Sequence, residues 1–456
     1  MSKDTDRHLI KSLVLAVLSA WFLPGTCRGA IREIGPGVFA EEEPFERVAN
    51  SLKPGDELVL RDGVYSQTGR RAVTVKGTPA APIVIRAAQG ARPVLTRPVE
   101  DMDRHNNIEF VDCSHMVVRG IVFAGGSCGI RFIRGDHVTL EDCEIRETGN
   151  NALTMNSGSC DAFIIRRNHI HHTGLSTRRP TEGEGMYIGS HDGKYITTNS
   201  LIEGNWIHHT RSTSGGGNDG IEIKFGSYGN TVRDNVIHDT TIGTQYPGIF
   251  VYGGGRGVNV VEGNLIMRAG EGIQVVSDAV IRNNIIIDCT ATGITAGPHA
   301  AVPHVRNVQI INNTIVNHPR GVRIRWGGAE AMVFANNAVY CEGRTAIDAA
   351  GLDKALVSSN YVSGGLNGAM LDGRQFAAGG TLAEAFRTTE DLRPHEQSVL
   401  IGRADAAYVP AYDFEYHVRT APFDVGACAL TPTTARQQPL KEGFKKQRDD
   451  IRRNGQ

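Results

Sequence analysis

The chain has 456 residues, with 48 Lys+Arg against 49 Asp+Glu for a formal net charge of −1, and its 54 glycines make up about 12% where ~7% is usual. With charged residues at 21%, this balance excludes a disordered polyelectrolyte, a collagen-like repeat and a strongly basic nucleic-acid binder. The length suits one long solenoid as well as two or three domains.

Residues 1–29 read as an export signal. Lys11 precedes an apolar run at 13–23 (LVLAVLSAWFL), and Pro24-Gly25 breaks it. That run is too short to span a bilayer but suits a signal-peptide core, and Cys27 and Gly29 place small residues three and one positions before a cut ahead of Ala30. A secreted or periplasmic protein with no membrane span is expected. Seven cysteines then remain (113, 128, 143, 160, 289, 341 and 428), scattered and without a CxxC pair, so buried thiols are expected rather than a disulfide scaffold or zinc site.

After residues 30–105, taken as an N-terminal cap and first coils, a phrase recurs: RNHIHHT (167–173), GNWIHHT (204–210), DNVIHDT (234–240), GNLIMRA (263–269), NNIIIDC (283–289), NNTIVNH (312–318) and NNAVYCE (336–342). Its Asn stands at 168, 205, 235, 264, 284, 313, 337 and 360. A second phrase alternates with it, a small residue followed by apolar-x-apolar, as in GMYI (185–188), GIEI (220–223), GIFV (248–251) and GVRI (321–324). Short alternating strands at this period, with no helical stretch between, predict an all-β parallel solenoid whose core is residues 106–365. An Asn at one turn of every coil predicts an internal amide ladder along the axis.

The shortest coil spans 20 residues, from Asn264 to Asn284. Excess length collects ahead of the second phrase, at 174–184, 211–219 and 241–247, and insertions stacked on one side of a solenoid line a binding face. Alternation then predicts two outward columns. One runs Arg131, Thr154, Tyr187, Glu222, Phe250, Gln274, Thr295, Arg323; the other runs Ile133, Asn156, Gly189, Lys224, Tyr252, Val276, Gly297, Arg325. Glu184 and Asp219 should stack at the strand entrance, and with Glu182 and Glu222 they supply the oxygens a Ca²⁺ ion takes. His171, His208 and His238 share another column, read as a stacked ladder with metal binding as the alternative. Residues 366–430 read as a closing segment, and 431–456, with a +3 stretch from Lys441 onward, as a basic disordered tail.

These phrases resemble the right-handed parallel β-helix superfamily of pectate lyases and related enzymes. LKPGDELVLRDGVY (52–65) with GTPAAPIVIRA (77–87) is similar to the first coils of chondroitinase B-like lyases, and FDVGACAL (423–430) resembles a closing strand. NDGIEIK (218–224) resembles the catalytic-lysine coil of polysaccharide lyase family 9, although no Asp-Asp-x-x-Asp cluster accompanies it. The resemblance implies a monomeric lyase acting on an acidic, uronate-containing polysaccharide by β-elimination. Lys224 would be the base, Tyr187 or Tyr252 the leaving-group acid, and Arg323, Arg325, Gln274 and Glu222 the substrate contacts. A β-helix glycoside hydrolase using Glu184 with Asp219 or Glu222 stays open, as does a non-catalytic carbohydrate-binding solenoid.

Overall fold

The structure is a computed structural model that describes residues 29–36, 45–98, 102–243, 245–316, 318–431 and 440–445. The export signal read at 1–29 lies outside them except for Gly29. Each turn of chain contributes three short strands, and each strand pairs in parallel with its equivalent one turn later. In the first sheet Leu153–Met155, Met186–Ile188, Ile221–Ile223, Pro247–Val251, Glu271–Val275, Thr292–Ala296 and Arg320–Arg325 follow one another. A second sheet stacks Ile164–Arg166 through Val333–Ala335, and a third runs from Glu144–Arg146 through His169–His171, Trp206–His208 and Val236–His238 to Thr314–Val316. The result is an all-parallel right-handed β-helix whose coils begin at Ile31–Ile34 and end at Phe376–Ala378, on both sides of the 106–365 core read from the repeats.

Two devices hold the corners. Every ladder Asn from 168 to 360 is fully buried. Asn264 is typical: its backbone N–H and its Nδ2 both donate to Asn284 Oδ1 at 3.0 and 2.9 Å, and Nδ2 also reaches Val232 O at 3.0 Å. The same bonds link Asn168 to Asn205, Asn235 and onward to Asn360. The residue before each ladder Asn has positive φ, as at Asp234 (59°), Gly263 (66°) and Asn283 (52°), which is why Gly, Asp and Asn recur there. The small residue opening the second phrase has a packing reason: a Cβ on Gly272 would lie 2.3 Å from Ile286 Cγ2. A second, shorter ladder, Ser200–Asn230–Asn259, runs along another corner. On the outside of the second sheet Arg119, Glu141, Arg166, Glu203, Arg233, Glu262 and Arg282 stand in register and alternate in sign.

The seven described cysteines are free and buried. Among the described residues the α-helices are Phe45–Asn50 and Leu382–Ala385, and no helix is long and apolar enough to cross a membrane.

Two expectations about the C-terminal part are corrected. Residues 423–430 form no strand; they lie across the third sheet, where Val425, Ala427 and Cys428 join Phe386, Leu392, Leu400 and Phe414 in covering Val236, Leu265, Ile285 and Val316. Those outward residues are apolar and need a cover, which a closing strand at the end of the helix would not give. Part of the tail is also ordered. Residues 440–445 pack on the same face, with the buried Lys445 ammonium donating to Asp234 Oδ1 (3.1 Å) and to the carbonyls of Gly263 and Phe414 (both 2.7 Å). The rest of 431–456 beyond Thr431 lies outside the described residues.

Two predictions follow from the corners. Asn284→Ala removes the acceptor shared by the Asn264 backbone N–H and Nδ2, and the Asn284 amide donations to Val261 O and Asn313 Oδ1, so it should lower stability by about 3 kcal/mol or more in chemical denaturation. The second concerns the buried His318, whose Nε2 donates to Ile286 O (3.1 Å) while Nδ1 accepts from Cys289 N–H (3.0 Å), a pattern only the neutral ring satisfies. Burial lowers its pKa from 6.5 to about 4. The contribution is present above pH 6.5 and is lost as pH falls toward 4, because the unfolded ring takes up its proton first. His318→Thr should therefore flatten the acid-side decline of melting temperature relative to wild type.

Candidate functional site

The expanded corner is built from stacked loops. Thr173 Oγ1 donates to Gly183 O and Thr210 Oγ1 to Asn218 O, closing each loop at its base. Thr213 N donates to Thr181 O (2.9 Å) and Ser212 N to Ile242 O (2.9 Å), so the loops remain one coil apart, like the strands beneath them. That stacking brings Glu184 and Asp219 to adjacent strand entrances, where Gly185 N donates to Asp219 O (2.9 Å).

The registers match the first column read from the sequence, with Arg131, Thr154, Tyr187, Glu222, Phe250, Gln274, Thr295 and Arg323 as successive neighbours. Their setting differs from the open strip expected. Glu184, Asp219, Glu222, Lys224 and Tyr252 are buried, the first two at 2% and 1% exposure and Lys224 at 5%. Alternation says that these side chains leave the coil interior, but not what lies over them. On the far side, Val302 joins Phe250, Tyr252 and Val276 in a small apolar cluster with Phe225, Ala301 and Val305 beside it, and His299 stands edge-on to Tyr252 at 4.9 Å. The sequence signal for this cover is the 29-residue interval between Asn284 and Asn313, which places an insertion at the opposite corner, near 297–307.

Inside this niche Lys224 Nζ bonds Glu222 Oε1 and lies over the rings of Tyr187 (4.2 Å) and Tyr252 (5.0 Å). Ligand oxygens of Glu184, Asp219 and Glu222 all lie within 4.8 Å of one another. Three carboxylates thus share the space with one ammonium. Burial, and then Glu222, push the Glu184 and Asp219 carboxyls well above the usual range; burial raises Glu222 too, against the opposing pull of Lys224. Tyr187 and Tyr252 are raised by burial and then by Glu222.

Four carboxylate oxygens here, Glu184 Oε2, both of Asp219 and Glu222 Oε2, are buried without a hydrogen-bond partner. Gly217 lies against them: a Cβ there would come 2.7 Å from Glu184 Oε1 and 2.8 Å from Asp219 Oδ2. Converging, unsatisfied, hard oxygen donors fit a Ca²⁺ ion. Of the four acids read from the sequence, Glu184, Asp219 and Glu222 converge, while Glu182 stays exposed at the rim.

The more distant residues separate. Gln274 is two coils beyond Glu222, and Arg323, which is exposed, is four coils beyond it, roughly 19 Å at ~4.8 Å per coil. Arg325 is bound to Asp348 through two bonds of 2.9 Å and donates to two carbonyls, so it braces the sheet rather than facing a substrate. The buried setting also changes the expected behaviour of Lys224→Ala. Removing one partner of a buried pair costs roughly 3–5 kcal/mol, so that variant should lose stability as well as any activity. Comparing melting temperatures of Lys224→Ala and Lys224→Arg checks this, with the arginine variant close to wild type.

Residues 106–278 and 191–339 match the family described as right handed beta helix region, together more than half of the chain. No curated protein matches the sequence. Among solved structures, an alginate lyase from Paenibacillus sp. str. FPU-7 is 20% identical with a TM-score of 0.50, over 66% of this chain and 97% of that one. Pectate lyase Pel9A is 16% identical with a TM-score of 0.52, over 88% and 96%. The A-module of the Azotobacter vinelandii mannuronan C-5 epimerase AlgE6 is 15% identical with a TM-score of 0.51, over 74% and 92%. At these identities the likeness is one of fold. With its coils, its asparagine ladder and this match, the chain belongs to the right handed beta helix region family.

Proposed function

We propose that this protein is a secreted or periplasmic, monomeric polysaccharide lyase that cleaves a uronate-containing polymer by β-elimination. The observation that carries the reading is Lys224, an ammonium held between two tyrosines and beside three carboxylates whose buried oxygens lack partners. Glu184, Asp219 and Glu222 would hold Ca²⁺, which when bound neutralises the uronate carboxylate and acidifies the C5 proton. With Glu222 held as a carboxylate by the ion, Lys224 would give its own proton to solvent, and its unprotonated Nζ then takes the C5 proton. The electrons of that C–H bond form the C4–C5 double bond, the C4–O bond breaks, and the Tyr252 hydroxyl, or that of Tyr187, protonates the leaving oxygen. Gln274 and the exposed Arg323 lie along the same column at spacings that suit further sugars of an extended acidic chain. The fold neighbours include an alginate lyase and a pectate lyase, which adds support.

A second reading rests on the Glu184–Asp219 pair. Two neighbouring buried carboxyls could also serve a glycoside hydrolase as its acid and its base. The deciding assay follows ultraviolet absorbance of unsaturated uronate products and new reducing ends over a panel of polyuronates. Absorbance that Lys224→Arg cuts by about 100-fold or more, without loss of fold, is the expected outcome. Reducing ends without absorbance would establish hydrolysis instead.

Metal binding has its own signature. With chelator, Glu184→Gln should melt above wild type, since it removes one of three crowded carboxylates. With excess calcium the order should reverse, because wild type gains stability from the ion and the variant gains less. Wild-type melting unchanged by calcium would remove the ion from the reading.

A further inference from the structure

The third sheet carries a cluster of imidazoles that the proposed reaction does not use. His169 and His171 leave one strand on the same face, and Trp206 and His208 follow in register on the next coil. His169 lies flat on Trp206 (centroids 3.9 Å apart, 2° between planes), and His171, His208 and His238 stack at 5.1 and 4.9 Å. Stacking alone would explain the column. It does not explain why ring nitrogens meet ring nitrogens. His169 Nε2 and His208 Nε2 are 2.9 Å apart, and one nitrogen from each of His169, His171 and His208 lies within 4.8 Å of the others.

From this geometry we infer that His169, His171 and His208 form a binding site for a borderline divalent transition metal, of the Zn²⁺ or Cu²⁺ kind. Imidazole nitrogens select such ions and leave Ca²⁺ to carboxylate oxygens. Nitrogens about 2.0–2.1 Å from one ion stand roughly 3–4 Å apart, so the 2.9 Å edge already fits and small ring rotations close the widest one.

The surroundings are those of a ligand set. His171 Nδ1 contacts His172 Nδ1 and His208 Nδ1 contacts His209 Nδ1, each at 2.7 Å, the outer bonds that fix tautomer and ring direction in metal sites. Glu144 Oε1 is 3.3 Å from His171 Nε2, a contact that ion binding would replace. His238 lies outside the cluster: its Nε2 accepts from Trp206 Nε1 (2.9 Å), and it converges instead with Asp239 and Glu442. Phe444, edge-on to Trp206 at 5.9 Å and His169 at 6.3 Å, closes one side, while His169 and His171 remain partly exposed for an ion to enter.

Trp206 makes the test direct, since it touches His169 and the chain has only three tryptophans. The full chain, with its calcium-type site saturated by Ca²⁺, is titrated with Cu²⁺ while tryptophan emission is followed. Zn²⁺ is titrated in parallel by calorimetry. One equivalent of Cu²⁺ should quench the component of emission missing in Trp206→Phe, and one equivalent of Zn²⁺ should bind and compete with it. His208→Gln should weaken both at least tenfold, and the more exposed His171→Gln gives the same reading should the buried substitution disturb folding. Quenching that is absent at equimolar copper, or that persists undiminished in His171→Gln and His169→Gln, would overturn the site and leave the rings as a hydrogen-bonded stack.

Discussion

The side-chain amide of one asparagine per coil is the bond on which this molecule depends. Wherever the chain turns from the second sheet into the third, a peptide N–H must be buried with no strand partner to receive it. The Oδ1 of the next coil's asparagine accepts that N–H and an amide N–H at once, and the remaining amide hydrogen returns to a carbonyl of the preceding coil. An unsatisfied buried amide would cost about 1–3 kcal/mol per coil. Met at every turn, the requirement fixes the rotation of each coil on the last. Side chains can then form columns, and residues 20 to 37 apart in sequence become neighbours along the axis.

The proposed active site is a product of that registration. Tyr187, Glu222 and Phe250 come from three coils, and Glu184 and Asp219 from the loop ends of two. The contacts close in sequence are the Glu222–Lys224 pair and the Phe250–Tyr252 stack. Loops at one corner carry the acids; an insertion at the other corner brings Val302 and His299 over the aromatic residues. Between them the site is a narrow, charged niche in a wall that is otherwise occupied by apolar, threonine and arginine side chains.

Periodicity made the fold and the columns legible. The asparagines at 168 to 360 and the order Arg131 to Arg323 could be read because a period-2 strand and a recurring turn leave one solution for register. Burial was not legible by the same route. An outward position on a strand carries no mark of what another segment lays across it, so Lys224 and Glu222 looked exposed. Lys445 looked like part of a free tail, although its ammonium sits among Asp234 and two carbonyls. Arg325 looked equivalent to Arg323 because its partner, Asp348, is contributed by the next coil and belongs to no repeated phrase. The positive-φ residue before the ladder asparagine is Gly, Asp or Asn in six of eight coils, with Arg167 and Ser359 in the other two, and its meaning becomes plain only with the corner in view.

The alternating charges outside the second sheet bear on how such a protein changes length. Each arginine there, from Arg119 to Arg282, has a glutamate directly above or below it, as Glu141 has Arg119 and Arg166. Single pairs of this sort are worth little, but like charges directly opposite are unfavourable. Loss of the coil bearing Arg166 would set Glu141 against Glu203, whereas loss of two successive coils would restore an arginine facing a glutamate. The column therefore imposes a parity on this stretch: coils are added or removed most cheaply in twos.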